Sequence, residues 1–250
     1  MRDWNDKRVS LGFDVCRSAD LTTGLNSPVA GDILTHAILN SDSMGGRMRA
    51  MEIAALSTDK RLTRALVVAL HPGDEFAARL PVFADARVRR VVGGEQRSDS
   101  VLAALQALLS LGEPRDWVLV HDAARPCLQE EDLARLIERV GGSGTGGILA
   151  EAVVDSVKEA NSEGLVMRTL DRTRLWRAQT PQMFRLGELH AALGQAKARG
   201  LALTDEASAM ELAGHPVQLV PGSARNLKVT LPGDLQLAAW YLEGGGGTGT

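Results

Sequence analysis

The chain has 250 residues, with 28 Lys and Arg against 31 Asp and Glu, so the formal net charge is −3 with His neutral. Hydrophobic residues at 44% and charged residues at 24% are the mixture of one globular α/β domain or two small ones, which excludes a disordered chain. The near-neutral balance excludes a general nucleic-acid binder, no apolar run approaches the roughly 18–20 residues of a membrane helix, and two distant cysteines, Cys16 and Cys127, exclude a disulfide scaffold or structural zinc site.

From about Leu62 the pattern is regular. Ala65–Leu70 (ALVVAL) is a continuous apolar run stopped by His71-Pro72-Gly73-Asp74, the reading of a buried strand and a turn. Val88–Val92 predicts a second strand, closed by Gly93-Gly94. Val101, Leu102, Leu105, Leu108 and Leu109 form a helical stripe, with Ser98 and Asp99 as N-cap candidates. Trp117–Val120 predicts a third strand, running into His121-Asp122-Ala123-Ala124-Arg125-Pro126; a helix over Glu130–Val140 and a strand over Gly147–Val154 follow. Thr204-Asp205-Glu206 opens a helix to Gly214 with an acidic first turn. Val217–Val220 and Asn226–Val229 are expected as closing strands, and Pro232–Leu242 as a last helix with proline near its start.

Alternating strands and helices predict parallel pairing with both sheet faces covered. One stretch breaks the rhythm: Asp155–Leu175 is polar, with two short β-like pieces around Asn161-Ser162-Glu163-Gly164. It reads as a hairpin projecting from the domain, and because a two-stranded arm is marginal alone, it is expected to pack on another subunit. The tail Gly244–Thr250 is expected to be disordered. Met1–Arg8 is of mixed charge with no apolar stretch behind it, so no secretory signal is expected and the chain is read as cytoplasmic.

Asp122 is the first chemical pointer. A carboxylate just beyond a buried strand lies where open α/β sheets place their ligand crevice, and with phosphates there it can hold Mg²⁺, which prefers oxygen ligands; a turn or helix cap is the plainer alternative. Arg125, three residues on, supplies a fork-shaped phosphate ligand. Gly93-Gly94, Arg97 and the helix start at Ser98–Ser100 form a second candidate phosphate or nucleotide site. His121 receives no role. Taken singly, Lys228, Arg172, Thr180-Pro181-Gln182 and Thr204–Ser208 read as solvated charges, loops and caps.

Their order resembles a family. Gly93-Gly94-x-x-Arg97-x-Asp99-Ser100-Val101, Val118–Pro126 (VLVHDAARP), Asp171-Arg172, Leu175-Trp176, Thr180-Pro181-Gln182, Thr204–Ala209 (TDEASA) and Asn226–Thr230 (NLKVT) are similar to the motifs of methylerythritol phosphate cytidylyltransferases, over about Leu62 to Leu242. The resemblance implies a Rossmann-like nucleotidyltransferase fold, a mostly parallel sheet with helices on both faces and a projecting β-arm. It implies transfer of CMP from CTP to methylerythritol 4-phosphate with release of pyrophosphate, Mg²⁺ as cofactor, and a homodimer whose arms reach into the partner's site.

By matched position, Asp122 would contact Mg²⁺, and Gly94, Ser100 and Ala123 would line the nucleotide. Arg125, Thr180, Thr204 and Lys228 would face the substrate phosphate, while Ser156 and Arg172 would bind the methylerythritol phosphate of the neighbouring subunit. The implied organisation is a segment 1–61 of the same domain, a core over 62–243 with its arm at about 155–175, and a tail over 244–250.

The N-terminal part departs from the family, which begins with a strand and a loop A-A-G-x-G-x-R-M followed by P-K-Q. Two registers compete. One takes Gly45-Gly46-Arg47-Met48 as the loop, with Arg47 as its arginine and Ala54 where lysine is expected. The other matches Pro28-Val29-Ala30-Gly31 through His36 to a later pattern, brings Arg17 near the loop arginine, puts Gly24 at the lysine position and treats Ser43–Leu56 as an insertion; it fits the extra length better. Arg17, Arg47 and Lys228 are thus the candidate catalytic cations. Gly12–Cys16 and Gly31–Ala37 look like the metal-binding stretches of a cyclodiphosphate synthase, but Cys16 replaces a histidine, and Asp14, Cys16 and His36 read as structural. A silent homologue that binds substrate or serves assembly is the alternative function. Sugar-phosphate nucleotidyltransferases share the architecture without this motif set.

Overall fold

The computed structural model of the chain describes residues 33–38, 65–74 and 81–243. In chain order the strands are β1 (Ile33–Ile38), β2 (Leu66–Leu70), β3 (Val88–Val92), β4 (Trp117–Asp122), β5 (Gly147–Ala152), β6 (Lys158–Ala160), β7 (Val166–Thr169), β8 (Trp176–Arg185) and β9 (Gln218–Pro221). The helices are α1 (Arg97–Leu109), α2 (Glu130–Ser143), α3 (Leu186–Ala198), α4 (Glu206–Leu212) and α5 (Pro232–Leu242).

Seven strands form one sheet in the order β3-β2-β1-β4-β8-β5-β9. Every pairing is parallel except those of β8, which is antiparallel to both β4 and β5. The chain leaves β5, forms the β6–β7 ribbon and returns as β8, so the inverted strand is the return limb of the arm. The sheet is therefore mostly parallel, as expected, with one inverted strand near its middle.

Period-two alternation on β4 shows how both faces are filled. Val118 and Val120 join Leu105, Leu108, Phe184, Leu189 and Met210 in the core beneath α1, α3 and α4. Trp117 and Leu119 face the other way, onto Leu136, Ile137 and Val140 of α2. Val67 and Val68 of β2 split between the two faces in the same manner. Strand β2 is apolar at every position because parallel neighbours and covered faces bury both of its sides. Each large aliphatic or aromatic side chain removed from water here contributes about 1.5–3 kcal/mol.

Several expectations are corrected. The N-cap of α1 is Gln96, not Ser98 or Asp99; Asp99 sits in the first turn and its carboxylate accepts the Gln96 N–H at 3.3 Å. Thr180-Pro181-Gln182 is no loop but part of β8. Proline is accommodated there because the β5–β8 register shifts between Ile148 and Ala150, and a bulge has no ladder bond for proline to break. Asn226–Val229 is not a strand: the Val229 N–H goes to the Ala124 carbonyl at 2.7 Å and the Asn226 carbonyl accepts from Arg125, which takes the segment off the sheet. Helix α3 has no counterpart in the sequence reading, although Leu186, Leu189, Leu193 and Ala196 carry helical spacing and all are buried.

The arm is a two-stranded ribbon as expected, turned at Asn161, whose side chain accepts the N–H groups of Glu163 and Leu165, and at Gly164 with φ +80°. Strand β1, which carries His36, runs parallel between β2 and β4. The expectations placed on Asp14, Cys16, Arg17, Gly24, Arg47 and Ala54, and on the tail 244–250, fall outside the described residues.

Candidate active site

The C-terminal ends of β2, β3 and β4 carry the turns that make the site. After β3, the Gly93 N–H donates to the Leu70 carbonyl at 2.7 Å and the Gly94 N–H to Ser100 Oγ at 3.1 Å. The double-glycine turn thus folds onto the start of α1. A Cβ on Gly94 would stand 2.2 Å from the Asp99 Cβ, so glycine is required there by the turn's own packing. Ser100 is fully buried, and its hydroxyl holds this turn.

Asp122 is the last residue of β4 and is buried. Its Oδ1 accepts from Arg97 Nε and its Oδ2 from Lys228 Nζ, each at 2.9 Å. Arg97 also donates Nη1 and Nη2 to the two carboxylate oxygens of Glu206 at 2.6 and 2.8 Å. The result is an alternating chain of charges, Lys228⁺, Asp122⁻, Arg97⁺ and Glu206⁻, that joins four separate motifs. Burial raises the Asp122 carboxyl, but the Arg97 guanidinium and Lys228 ammonium outweigh it and hold the group well below the usual carboxylate range. Burial lowers Arg97, yet Glu206 and Asp122 together carry it above its ordinary value. For Glu206, burial prevails over Arg97 and pushes the carboxyl up.

The residues of β8 fix this chain in place. Thr180 Oγ accepts the Asp122 N–H at 3.0 Å and lies 2.9 Å from His121 Nδ1. The tautomer that satisfies both ring nitrogens has Thr180 donating to Nδ1 and Nε2–H donating to the Arg125 carbonyl, 3.3 Å away. Gln182 donates to Asp205 Oδ2 at 2.9 Å and accepts the Ala207 N–H at 2.8 Å, so it clasps the start of α4 on both sides of Glu206. Gln179 donates to the Ser223 carbonyl at 3.0 Å, and Asn226 donates to the Thr180 carbonyl at 2.8 Å. These two bonds anchor the loop that presents Lys228.

The sequence-predicted residues therefore divide. Asp122 and Lys228 meet directly, with Arg97 beside them. Thr180 is buried and serves the Asp122 backbone, and the Arg125 guanidinium donates to the carbonyls of Asn226 and Ala178 at 2.7 and 3.3 Å. Ala123 lies half-buried next to Asp122, and Thr204 is exposed before α4. Ser156 and Arg172 stand exposed on the arm, where Arg172 donates to the Val154 carbonyl. Glu206, His121, Gln179 and Gln182 received no role from the sequence. The signs for Glu206 were its place in the Thr204–Ala209 motif and an acid in a helix's first turn, and neither speaks of Arg97.

Comparison with known proteins bears on this arrangement. The family model for 2-C-methyl-D-erythritol 4-phosphate cytidylyltransferase matches residues 44–244. The chain belongs to this family. A relative of that name from Pseudomonas aeruginosa (strain UCBPP-PA14) is 45% identical over 214 residues, covering 79% of this chain and 92% of the relative. One from Ectopseudomonas mendocina (strain ymp) is 51% identical over 178 residues, covering 71% and 74%. Among solved structures, a 4-diphosphocytidyl-2C-methyl-D-erythritol synthase superposes with a TM-score of 0.71 at 37% identity, covering 85% of this chain and 99% of its own. The family match starts at residue 44, so it takes in Gly45-Gly46-Arg47-Met48, directly downstream of strand β1. The register through Pro28–His36, and Arg17 with it, lies upstream of that match.

Proposed function

We propose that this chain is the cytidylyltransferase its family name describes, transferring CMP from CTP to 2-C-methyl-D-erythritol 4-phosphate with release of pyrophosphate at the rim where Asp122 and Lys228 meet. The observation that carries this reading is the Asp122 carboxylate, ionised and held between Arg97 and Lys228 at the C-terminal end of a buried strand. A substrate phosphate oxygen attacks the α-phosphorus of CTP, and pyrophosphate leaves in line. The protein positions two anions and offsets the charge of the transition state. No covalent intermediate is needed.

Gly94, Ser100 and Ala123 flank the nucleotide in this reading. Lys228, whose side chain is 43% exposed, turns from Asp122 to the reacting phosphates, and Arg125 and Thr180 hold the strand-end turn beneath them. Thr204 faces the substrate phosphate from the turn before α4. Arg47, with Arg17 as the alternative of the other register, supplies a cation to the triphosphate.

The donor set suits magnesium. Among the described residues there is no group of three acidic, His or Cys side chains able to hold a metal, and an ion bound by one carboxylate plus substrate phosphates and water needs none. Asp122 would hold it, through carboxylate lone pairs not committed to Arg97 once Lys228 turns to the phosphates. When bound, the ion would neutralise triphosphate charge and polarise the phosphorus under attack.

The partner reading is a homodimer. The arm exposes Val154, Leu165, Val166 and Met167 to between 62% and 74%, and an isolated two-stranded ribbon with such residues gains stability by packing on a second copy. Ser156 and Arg172 would then reach the partner's substrate. Among the described residues no helix is long and apolar enough to cross a membrane, and use of CTP fits a cytoplasmic enzyme. The relatives and the solved structure named above bear enzyme names, which supports catalysis over a silent binding subunit.

The test is pyrophosphate release with CTP, 2-C-methyl-D-erythritol 4-phosphate and Mg²⁺, with UTP and GTP as comparisons. Turnover that requires all three components and prefers CTP is the expected result; no turnover at high enzyme concentration overturns the reading.

A further inference from the structure

The charge chain ends in a carboxylate that the scheme above does not use. Glu206 is the first residue of α4, with its side chain 1% exposed, and both its oxygens are taken by the outer nitrogens of Arg97. A guanidinium is a rigid planar fork. Once Nη1 and Nη2 are fixed on Glu206, the direction of the third donor, Nε, is fixed too, and Nε meets Asp122 Oδ1. Glu206 in turn is held from β8, because Gln182 clasps the residues on either side of it. A continuous line of bonds therefore runs from the sheet through α4 and Arg97 to one oxygen of Asp122. The other oxygen meets only the ammonium of Lys228 among the ion pairs at the rim, at the end of a flexible and partly exposed stem.

We propose that Glu206 and Arg97 are positioning residues for Asp122: Glu206 orients the guanidinium, and the guanidinium keeps Oδ1 fixed so that Oδ2 alone exchanges Lys228 for a divalent cation. This rests on the reading of Asp122 as a cation-holding carboxylate. The charge arithmetic points the same way. With Glu206 ionised, the Arg97 charge is shared between two carboxylates; with Glu206 neutral, it falls on Asp122 alone and opposes a second cation there. The sign of the effect is therefore set: neutralising Glu206 weakens cation binding, although among the described residues Glu206 meets no cation but Arg97.

The experiment uses the full chain with Mn²⁺ as a spectroscopic stand-in for Mg²⁺, binding being read from loss of the free-ion paramagnetic resonance signal in the presence of CTP, alongside steady-state kinetics and thermal melts. Partners one bond removed from a metal-holding group commonly change affinity or activity by about 10–100-fold. Glu206→Gln and Arg97→Lys, the second keeping the charge and losing the fork, are each expected to weaken Mn²⁺ binding by about tenfold and to lower kcat by about 10–100-fold, with KM for CTP within about threefold. Glu206→Asp, which keeps the charge, is expected to recover part of the Mn²⁺ affinity. If Glu206→Gln does not fold, Arg97→Lys is read by the same criteria. Unchanged Mn²⁺ affinity in a folded variant, or a loss of kcat that only tracks a lower melting temperature, overturns the proposal. Asp122→Asn separates the two readings: if it abolishes Mn²⁺ binding while the other variants leave the affinity unchanged, only the positioning role fails, and if it too leaves binding unchanged, the reading of Asp122 itself fails.

Discussion

The Thr180 hydroxyl accepts the backbone N–H of Asp122 at 3.0 Å, across a pair of adjacent strands that run in opposite directions. A residue of the arm's return strand thereby sets where the β4 carboxylate stands. The bond exists because the bulge in β8 turns Thr180 out of regular ladder pairing at the level of the sheet's rim. The site's carboxylate is placed by the sheet itself rather than by a loop.

Asp122→Asn keeps the shape of the side chain and removes its charge. Loss of a preorganised charge at a phosphoryl-transfer centre costs on the order of 10²–10³ in kcat, and pyrophosphate release is expected to fall by that factor. The amide oxygen of this variant can still accept from Arg97 Nε, so the melting curve should remain a single cooperative transition. Unchanged Mg²⁺ dependence of turnover would count against the assignment.

Gln182→Ala removes the clasp on α4 and leaves the Ala207 N–H without its buried acceptor. An orphaned buried group costs about 1–3 kcal/mol, and the variant should melt several degrees lower. Hydrogen exchange should speed up first at the N-terminus of α4. Protection there equal to that of the unmodified chain would contradict the clasp.

Gly94→Ala places a Cβ 2.2 Å from the Asp99 Cβ, a contact that no rotamer can relieve. Either the turn or the first turn of α1 must shift, at a cost of about 1–3 kcal/mol. CTP affinity, measured by calorimetry, is expected to weaken with it, because Arg97 opens the same helix. Gly142→Ala, with nothing within 4 Å of the added atom, is the control and should leave CTP binding unaltered.

Asp234 provides the pH prediction. Its carboxylate accepts the N–H groups of Thr230 and Leu231 and the Thr230 hydroxyl at the start of α5, and these bonds lower its pKa below the usual value. A depressed carboxyl contributes stability that is complete above the unfolded-state pKa of about 4 and is lost as pH falls through the folded-state value. The stability gap between the parent chain and Asp234→Ala, from urea unfolding, should be constant near neutrality and shrink below about pH 4. A gap that does not change with pH would remove Asp234 from this role.

Much of the architecture was legible because its signals are local. The apolar runs at Ala65–Leu70 and Trp117–Val120, the acidic opening of α4, the proline at the start of α5 and the Asn161–Gly164 turn each state a backbone preference within a few residues. Strand β8 was hidden by Pro181, which argues for a loop unless a bulge is known to receive it. The Asn226–Val229 segment misled in the opposite sense. Its composition suits a strand, but its backbone groups are claimed by Ala124 and by Arg125. Helix α3 went unread, although Leu186, Leu189 and Leu193 carry its spacing.

By itself, the amino-acid order determined the family, the alternation of strands and helices, and which motifs would matter, since periodicity, turn chemistry and motif spacing act over short stretches of chain. Only the tertiary structure decided that Lys228, Asp122, Arg97 and Glu206 form one chain of charges, and that Thr180 and Gln182 hold it rather than take part in it. Those partners come from distant segments, and no local preference encodes which cation meets which carboxylate. That pairing follows from the inverted strand, which brings the end of β4, the start of α1, the start of α4 and the Lys228 loop to the same rim of the sheet.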